Sequence, residues 1–331
     1  MKPLAKLGAL RDLAAVKFLG RRIPVAVRMQ ITNRCPNRCA YCSVWSDEAP
    51  DPSREKIFSV MEQLGELGAR KVSFSGGEPL LRDDIGEIIG RCKELGISPE
   101  MNSRGTLIER RIAGLKGLDL LKVSVDGPEE VHDALSARKG AFRDCVKAIE
   151  TAQAAGIRVS LATTITRHNI GHLDFILGLA KKYGIRAAFQ PLKPLYRGVG
   201  AEEMWDLYPP REEYRRQIAR LTELKADGWA GYLRNSLIGL RHIMDWPGYP
   251  ALPCSAGRLF CIIDTDGTFY PCDRIDYGTE LPNCFETGVR AALESAPPVK
   301  CGGCGFCGSL ELNFLYNFRF GTLKEVLWLL K

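Results

Sequence analysis

No stretch of the 331 residues approaches 18 consecutive apolar positions, and Lys6, Arg11, Asp12 and Lys17 interrupt the apolar start. A membrane-spanning helix and a cleavable signal sequence are therefore not expected, and the chain reads as cytoplasmic. Low-complexity tracts are missing too. With 45% hydrophobic and 26% charged residues, the composition excludes disorder and fibrous repeats. Histidine is scarce: His132, His168, His172 and His242 show no metal-ligand spacing and read as ordinary core or surface residues. The length allows one large domain, or a main domain with a smaller one. A chain of that size without a route to an oxidising compartment needs no disulfides, so its twelve cysteines point to thiolate ligation of metal.

The net charge of +7 is local. Residues 1–34 hold eight Lys/Arg against Asp12, and the rest is balanced. Residues 1–24 read as a basic helix, a candidate for peripheral contact with anionic lipid. Leu4, Leu7, Leu10, Leu13 and Val16 recur at i+3 and drift about 60° per step around a helix, so a helix packed on the domain is the plainer expectation. The pI near 8.8 raises RNA as a partner, but the basic residues form a leading segment without interleaved aromatics, and no nucleic acid is expected.

Between residues 25 and 200, β-type runs alternate with helical patterns. Strands are expected at 25–31, 71–74, 98–101, 120–125, 158–165 and 185–190. Helices are expected at 52–67, 83–95, 108–115, 142–155 and 172–183, several closed by a Gly. Such alternation implies a parallel sheet with its site at the C-terminal strand ends. A helical linker over 201–250, with a charged helix at 211–225, leads to a Cys-rich segment over 251–331. The aromatic end of that segment is expected to pack back on the barrel or form an interface.

Cys35, Cys39 and Cys42 directly follow the first expected strand. Structural zinc sites and simple ferredoxin clusters use four protein ligands, and no fourth Cys or His stands near. Three thiolates leave one iron of a [4Fe–4S] cluster open to a ligand with amine and carboxylate groups. With Tyr41 before the last Cys, this C-x3-C-x2-C loop resembles the signature of the radical S-adenosylmethionine (SAM) superfamily. The resemblance implies a partial (β/α)6 TIM-type barrel, a cluster with an open iron, and reductive cleavage of SAM to a 5′-deoxyadenosyl radical that takes a substrate hydrogen. It also implies that Gly76, Gly77, Glu78 and Pro79 lie by the methionyl amine of SAM. Asn102, Ser124 and Asp126 are implied to line its ribose and carboxylate. Relatives commonly carry Arg where this chain has Ser136, so either Arg138 takes over the carboxylate contact or that contact is lost.

The later cysteines make a second constellation. Cys254 and Cys272 flank an Asp264–Gly267 hairpin turn, and Cys301, Cys304 and Cys307 share a Gly-rich loop. A zinc ribbon is one reading. The arrangement also resembles the SPASM and twitch domains of radical SAM enzymes, which implies one auxiliary [4Fe–4S] cluster on Cys254, Cys272, Cys301 and Cys304. Cys261 and Cys307 compete for those roles, and Cys261 is alternatively a hydrogen donor to a substrate radical. Cys92, Cys145 and Cys284 read as buried structural thiols. The resemblance further implies a flavodoxin- or ferredoxin-type electron donor and a peptide, small-molecule or lipid substrate. The expected reaction is an oxidation, bond formation or epimerisation. The N-terminal segment is too short for a winged-helix leader-binding domain. A non-catalytic zinc- or iron-stabilised binding protein and an RNA-modifying radical SAM enzyme are the alternatives.

Overall fold

Short β-branched runs closed by Gly-containing turns build a repeated strand–helix unit. The strands are β1 (Ala26–Thr32), β2 (Lys71–Gly76), β3 (Ser98–Ser103), β4 (Leu120–Ser124), β5 (Val159–Ile165) and β6 (Arg186–Pro191). The computed structural model describes residues 3–193, 205–301 and 303–323. Each of the six strands pairs in parallel with its sequence neighbours, the singly wound order of a partial (β/α)6 barrel.

The helices are α1 (Pro3–Phe18), α2 (Arg54–Glu66), α3 (Ile85–Glu94), α4 (Ile108–Arg111), α5 (Glu129–Ser136), α6 (Ala141–Ala154), α7 (Leu173–Lys182), α8 (Arg211–Ala226), α9 (Leu237–Ile243), α10 (Cys284–Thr287), α11 (Val289–Ser295) and α12 (Cys307–Tyr316). The helix expected over 108–115 is instead the single turn α4 followed by a tighter 3-10 turn at Ile112–Leu115. Gly114 weakens a regular helix there and lets the chain meet the backbone of Gly86 closely. Helix α5 was not expected.

Alternation along the strands separates two faces. Val27, Met29, Val72, Phe74, Met101, Val123, Leu161 and Phe189 point outward and are buried under the helices with Ile57, Met61 and Leu64 of α2. Each such side chain contributes about 1.5–3 kcal/mol. The inward positions are mixed, with Lys71, Ser73, Glu100, Asn102 and Lys122 beside apolar Ala26, Ala162, Ala188 and Ile262, and they enclose a cavity of about 340 Å³.

The Cys-rich segment does not form a separate body. Strand β7 (Phe260–Ile263) pairs in parallel with β1, and β8 (Phe269–Tyr270) turns back on it, so one sheet runs β6-β5-β4-β3-β2-β1-β7-β8. The expected turn joins the two, with Gly267 N donating to Asp264 O at 3.0 Å. At the other edge Arg234 N donates to Ala187 O, and Ala187 N to Tyr232 O, both at 2.8 Å. Leu310 and Phe314 of α12 enter the main core, so this part packs back as expected; residues 324–331, and the expected boundary at residue 200, lie outside the described residues. Helix α1 lies on the barrel through fully buried Val16 and through Asp12, which accepts from Arg70 Nε at 2.9 Å. Among the described residues no helix is long and apolar enough to cross a membrane.

Candidate active site

Cys35, Cys39 and Cys42 stand on the loop leaving the C-terminal end of β1, at the mouth of the cavity. The segment after β2 holds this loop from one side: Gly77 N donates to Thr32 O at 2.7 Å and Glu78 N to Arg34 O at 2.8 Å. The approach leaves no room for a side chain. A Cβ on Gly76 would sit 2.1 Å from Thr32 O, and one on Gly77 2.1 Å from Arg34 O. The end of α5 holds the loop from the other side, where Arg38 N and Ala40 N donate to Ser136 O and Leu135 O at 3.1 and 3.0 Å. Tyr41 fastens the base: its hydroxyl donates to Asp126 Oδ2 and accepts from Arg104 Nη2 at 2.6 Å.

Glu78 is buried, accepting from Ser103 Oγ at 2.8 Å and Arg104 N at 2.9 Å. Burial pushes its carboxyl up to about 7 against those bonds. The Arg104 guanidinium, also buried, donates to Asp126 Oδ2 at 2.9 Å and Ser136 Oγ at 2.8 Å, with His132 Nε2 at 3.2 Å. His132 Nδ1 accepts from Asp126 N at 3.0 Å, and burial lowers the ring's pKa to about 4.

Gly76, Gly77, Glu78, Asn102, Ser124 and Asp126 all line the cavity with Tyr41, while Pro79 is buried behind it in a 3-10 turn. Asp126 is committed internally, because Oδ1 accepts from Thr164 N at 3.1 Å while Oδ2 takes Tyr41 and Arg104. Arg138 corrects the expectation: it donates to Asn37 Oδ1 and to Asp144 Oδ2 at 2.7 Å, so it braces the cysteine loop from outside. The cation beside Ser136 is Arg104, which the sequence reading passed over. Its one signal was a basic residue immediately after a strand end.

Do the residues fit the cluster and SAM? Asn37 Nδ2, Ser43 Oγ and Trp45 Nε1 are buried around the loop with no protein hydrogen-bond partner, and Trp45 lies on the cavity wall. Burial raises the pKa of Cys35 and pushes Cys39 up to about 12. Such thiols deprotonate when metal binds, and the spare donors meet sulfide or ligand atoms. Among the described residues no three His, Cys, Asp or Glu side chains are gathered tightly enough to share one ion. A [4Fe–4S] cube asks for a wider set, one thiolate per iron.

Cys254, Cys272, Cys301 and Cys304 come together outside the cavity. Burial raises the Cys254 thiol, with Cys301 adding to it. Burial pushes Cys272 up to about 12 and Cys304 up to about 11; Cys304 adds to the first, Cys254 and Cys301 to the second. Arg274 sits beside Cys272 and Cys304 with Nε and Nη2 buried and unpartnered, donors suited to the sulfur atoms of a cluster. Two further cysteines compete for these roles. Cys261 is among the residues bounding the cavity, but it pairs with Val27 in the outward register and is buried beside Cys284, a position that does not favour its expected role as hydrogen donor. Cys307, the other competitor, opens α12 and lines the cavity, 3.8 Å from Gln190 Oε1. Cys92, Cys145 and Cys284 are buried in the core as expected.

The profile described as the radical SAM superfamily matches residues 29–180. The mycofactocin maturase MftC of Mycobacterium ulcerans is 28% identical, over 88% of this chain and 82% of the relative. The Fe-coproporphyrin III synthase of Methanosarcina barkeri is 31% identical over 56% of this chain and 48% of its own. Among solved structures, Streptococcus suis SuiB bound to precursor peptide SuiA superposes with a TM-score of 0.69 at 15% identity, covering 88% of this chain and 69% of the other. The anSMEcpe structure with bound AdoMet and a peptide gives 0.66 at 18%, covering 91% and 99%. A three-cysteine loop clamped by a Gly-Gly-Glu-Pro segment at the mouth of a partial barrel thus agrees with the profile match, and residues 29–180 form a domain of the radical SAM superfamily, whose enzymes use a [4Fe–4S] cluster and SAM.

Proposed function

We propose that this enzyme cleaves SAM reductively and abstracts a hydrogen atom from a peptide, for an oxidation or bond-forming step. The observation that carries it is the three-thiol loop over the cavity, with buried, unpartnered donors and, among the described residues, no fourth cysteine beside it. When bound, the cluster and SAM supply a 5′-deoxyadenosyl radical. The chain's own residues do the rest. Gly76 and Gly77 let the loop seat against β2, Glu78 and Arg104 fix the strand ends around it, and Trp45 and Phe306 wall the cavity from water. Cys35, Cys39 and Cys42 would hold the first cluster, and Cys254, Cys272, Cys301 and Cys304 one auxiliary cluster, which suits net oxidation by taking an electron. The likeness to MftC and SuiB favours a peptide over a small molecule or lipid.

Anaerobic reconstitution tests this: about eight irons per chain, falling to about four in a Cys35/Cys39/Cys42→Ala variant, with 5′-deoxyadenosine formed only by the wild type given a flavodoxin or ferredoxin. Zinc in place of iron and no SAM cleavage would overturn it. A second reading, peripheral membrane contact, is favoured by exposed Phe18, Leu19, Phe318 and Phe320 beside basic Lys17. Sedimentation with anionic vesicles, lost in Phe18→Ser/Leu19→Ser, tests it.

A further inference from the structure

The interior of a parallel barrel is ordinarily filled with apolar side chains. Here the inward faces of β2, β3, β4 and β5 carry Lys71 and Ser73, Glu100 and Asn102, Lys122, and Ser160. Lys71 pairs with Glu100 at 3.6 Å, and Lys122 pairs with the other oxygen of the same carboxylate. Arg234 comes in from the β6 edge, and its charge acts on both Lys71 and Glu100. All four ionic groups are buried or nearly so and line the cavity. Among the described residues three cations, each with protein partners of its own, gather around this one carboxylate, in a place where buried positive charge is costly. Ser160, in register with Lys122 and fully buried, has an Oγ without a hydrogen-bond partner. Arg28 and Lys193 at the cavity edge share Asp273 in the same unequal way.

We infer that this cationic floor binds an oxyanion, a carboxylate or phosphate, carried by the substrate. The inference rests on the cavity being the reaction chamber described above, and it adds the substrate's charge and its orientation. The deep part of the floor is separate from the residues assigned to SAM, since Lys71 lies five residues before Gly76, roughly 16 Å along the strand, whereas Lys122 reaches toward them, its Nζ and Asn102 Nδ2 both donating to Ser73 Oγ at 3.1 Å. An acid group seated among Lys71, Lys122 and Arg234 would anchor the substrate below the loop and aim its other end at the radical.

The test is thermal unfolding of the SAM-bound holoenzyme with sodium pyrophosphate, sodium tricarballylate or sodium chloride at equal ionic strength. One of the two oxyanions raises the Tm and chloride does not. A response to pyrophosphate alone assigns a phosphate, and to tricarballylate alone a carboxylate. Arg234→Met and Lys71→Met each weaken the apparent Kd about tenfold, the loss of one charge-assisted contact, and leave SAM affinity unchanged. Glu100→Gln, which frees two lysines, tightens it, so the inference stays testable where a methionine variant does not fold. No Tm response above chloride, or a response that persists in Arg234→Met and Lys71→Met, overturns it. SAM cleavage measured on the same samples separates this failure from failure of the functional reading.

Discussion

Replacing Gly77 by Ala should empty the first cluster site, and replacing Gly90 by Ala should do the opposite of harm. The closest ordinary carbon–oxygen approach is about 3.3 Å, whereas a Cβ on Gly77 would lie 2.1 Å from Arg34 O and 2.7 Å from Asn33 O. The loop must therefore retreat by about 1 Å. That breaks the bonds from Gly77 N to Thr32 O and from Glu78 N to Arg34 O. Each donor left buried without its acceptor costs about 1–3 kcal/mol, so the seated loop loses about 2–6 kcal/mol. Gly90 lies in α3 with nothing within 4 Å of its Cβ position. Alanine there removes unfolded-chain entropy and gains about 0.5–1 kcal/mol, a Tm rise of about 1–4 °C. The assays are iron per chain after anaerobic reconstitution, SAM binding by equilibrium dialysis, and Tm. Gly77→Ala should lose about four irons and SAM affinity. If it keeps both at wild-type levels, the clamp between β2 and the cysteine loop is not what seats the cluster.

His132 sets a pH dependence. It is neutral in the fold because burial depresses its pKa from 6.5 to about 4, and protonating Nδ1 would break its bond from Asp126 N. A depressed pKa means stability fully present above pH 6.5 and lost as pH falls toward 4, worth about 3 kcal/mol. Glu78, raised to about 7, works in the opposite direction, so the readout is the difference between wild type and His132→Gln in denaturant titrations from pH 7 to 4; parallel curves would refute it. Arg274→Met should keep auxiliary iron but lower that cluster's midpoint potential by tens of millivolts, measured by EPR-monitored titration, because a cation and two N–H donors beside sulfur are lost. Cys304→Ala should remove about four irons, whereas Cys307→Ala and Cys261→Ala should remove none. Iron loss in Cys307→Ala would return that residue to the ligand set.

The parallel sheet was legible because each βα unit announces itself locally, by a β-branched run, a periodic helix and a Gly turn; alternation alone left an open sheet and a barrel both possible, and the cysteine-loop resemblance chose the barrel. Strand β7 was not. Its four residues read as the arm of a local hairpin, but it also pairs with β1, some 230 residues earlier, and nothing in a short apolar run states which edge it will find. Among site residues, Gly76 and Gly77 were readable because a backbone contact dictates the residue type, and the three cysteines because cluster chemistry does. Arg104 was not, since an arginine after a strand looks the same whether it turns to solvent or into a cavity. Arg138 failed for a related reason. Ala137 ends α5 with φ of 47°, and the chain turns there, so that residue 138 meets Asn37 instead of the cavity.

The interior charge was nonetheless written in the strands. A strand of a parallel sheet buried on both faces ordinarily reads as a continuous apolar run, and outward positions here obey that. Lys71-Val72-Ser73-Phe74-Ser75, Glu100-Met101-Asn102 and Lys122-Val123-Ser124 instead alternate polar with apolar, the pattern of a sheet with one wet face. In a barrel whose outer face is covered by helices the wet face must be the inner one. Folding then sequesters cations inside the barrel, and an acidic group on a bound molecule would offset positive charge that is otherwise held there at a cost in stability. On this argument the holoenzyme should be least stable without an acidic ligand, and Glu100→Gln, which removes the resident carboxylate, should be less stable than wild type in chloride but regain most of the difference in the oxyanion that the floor accepts. Equal destabilisation in both salts would mean that the three cations are satisfied within the protein and that the interior charge does not select the substrate.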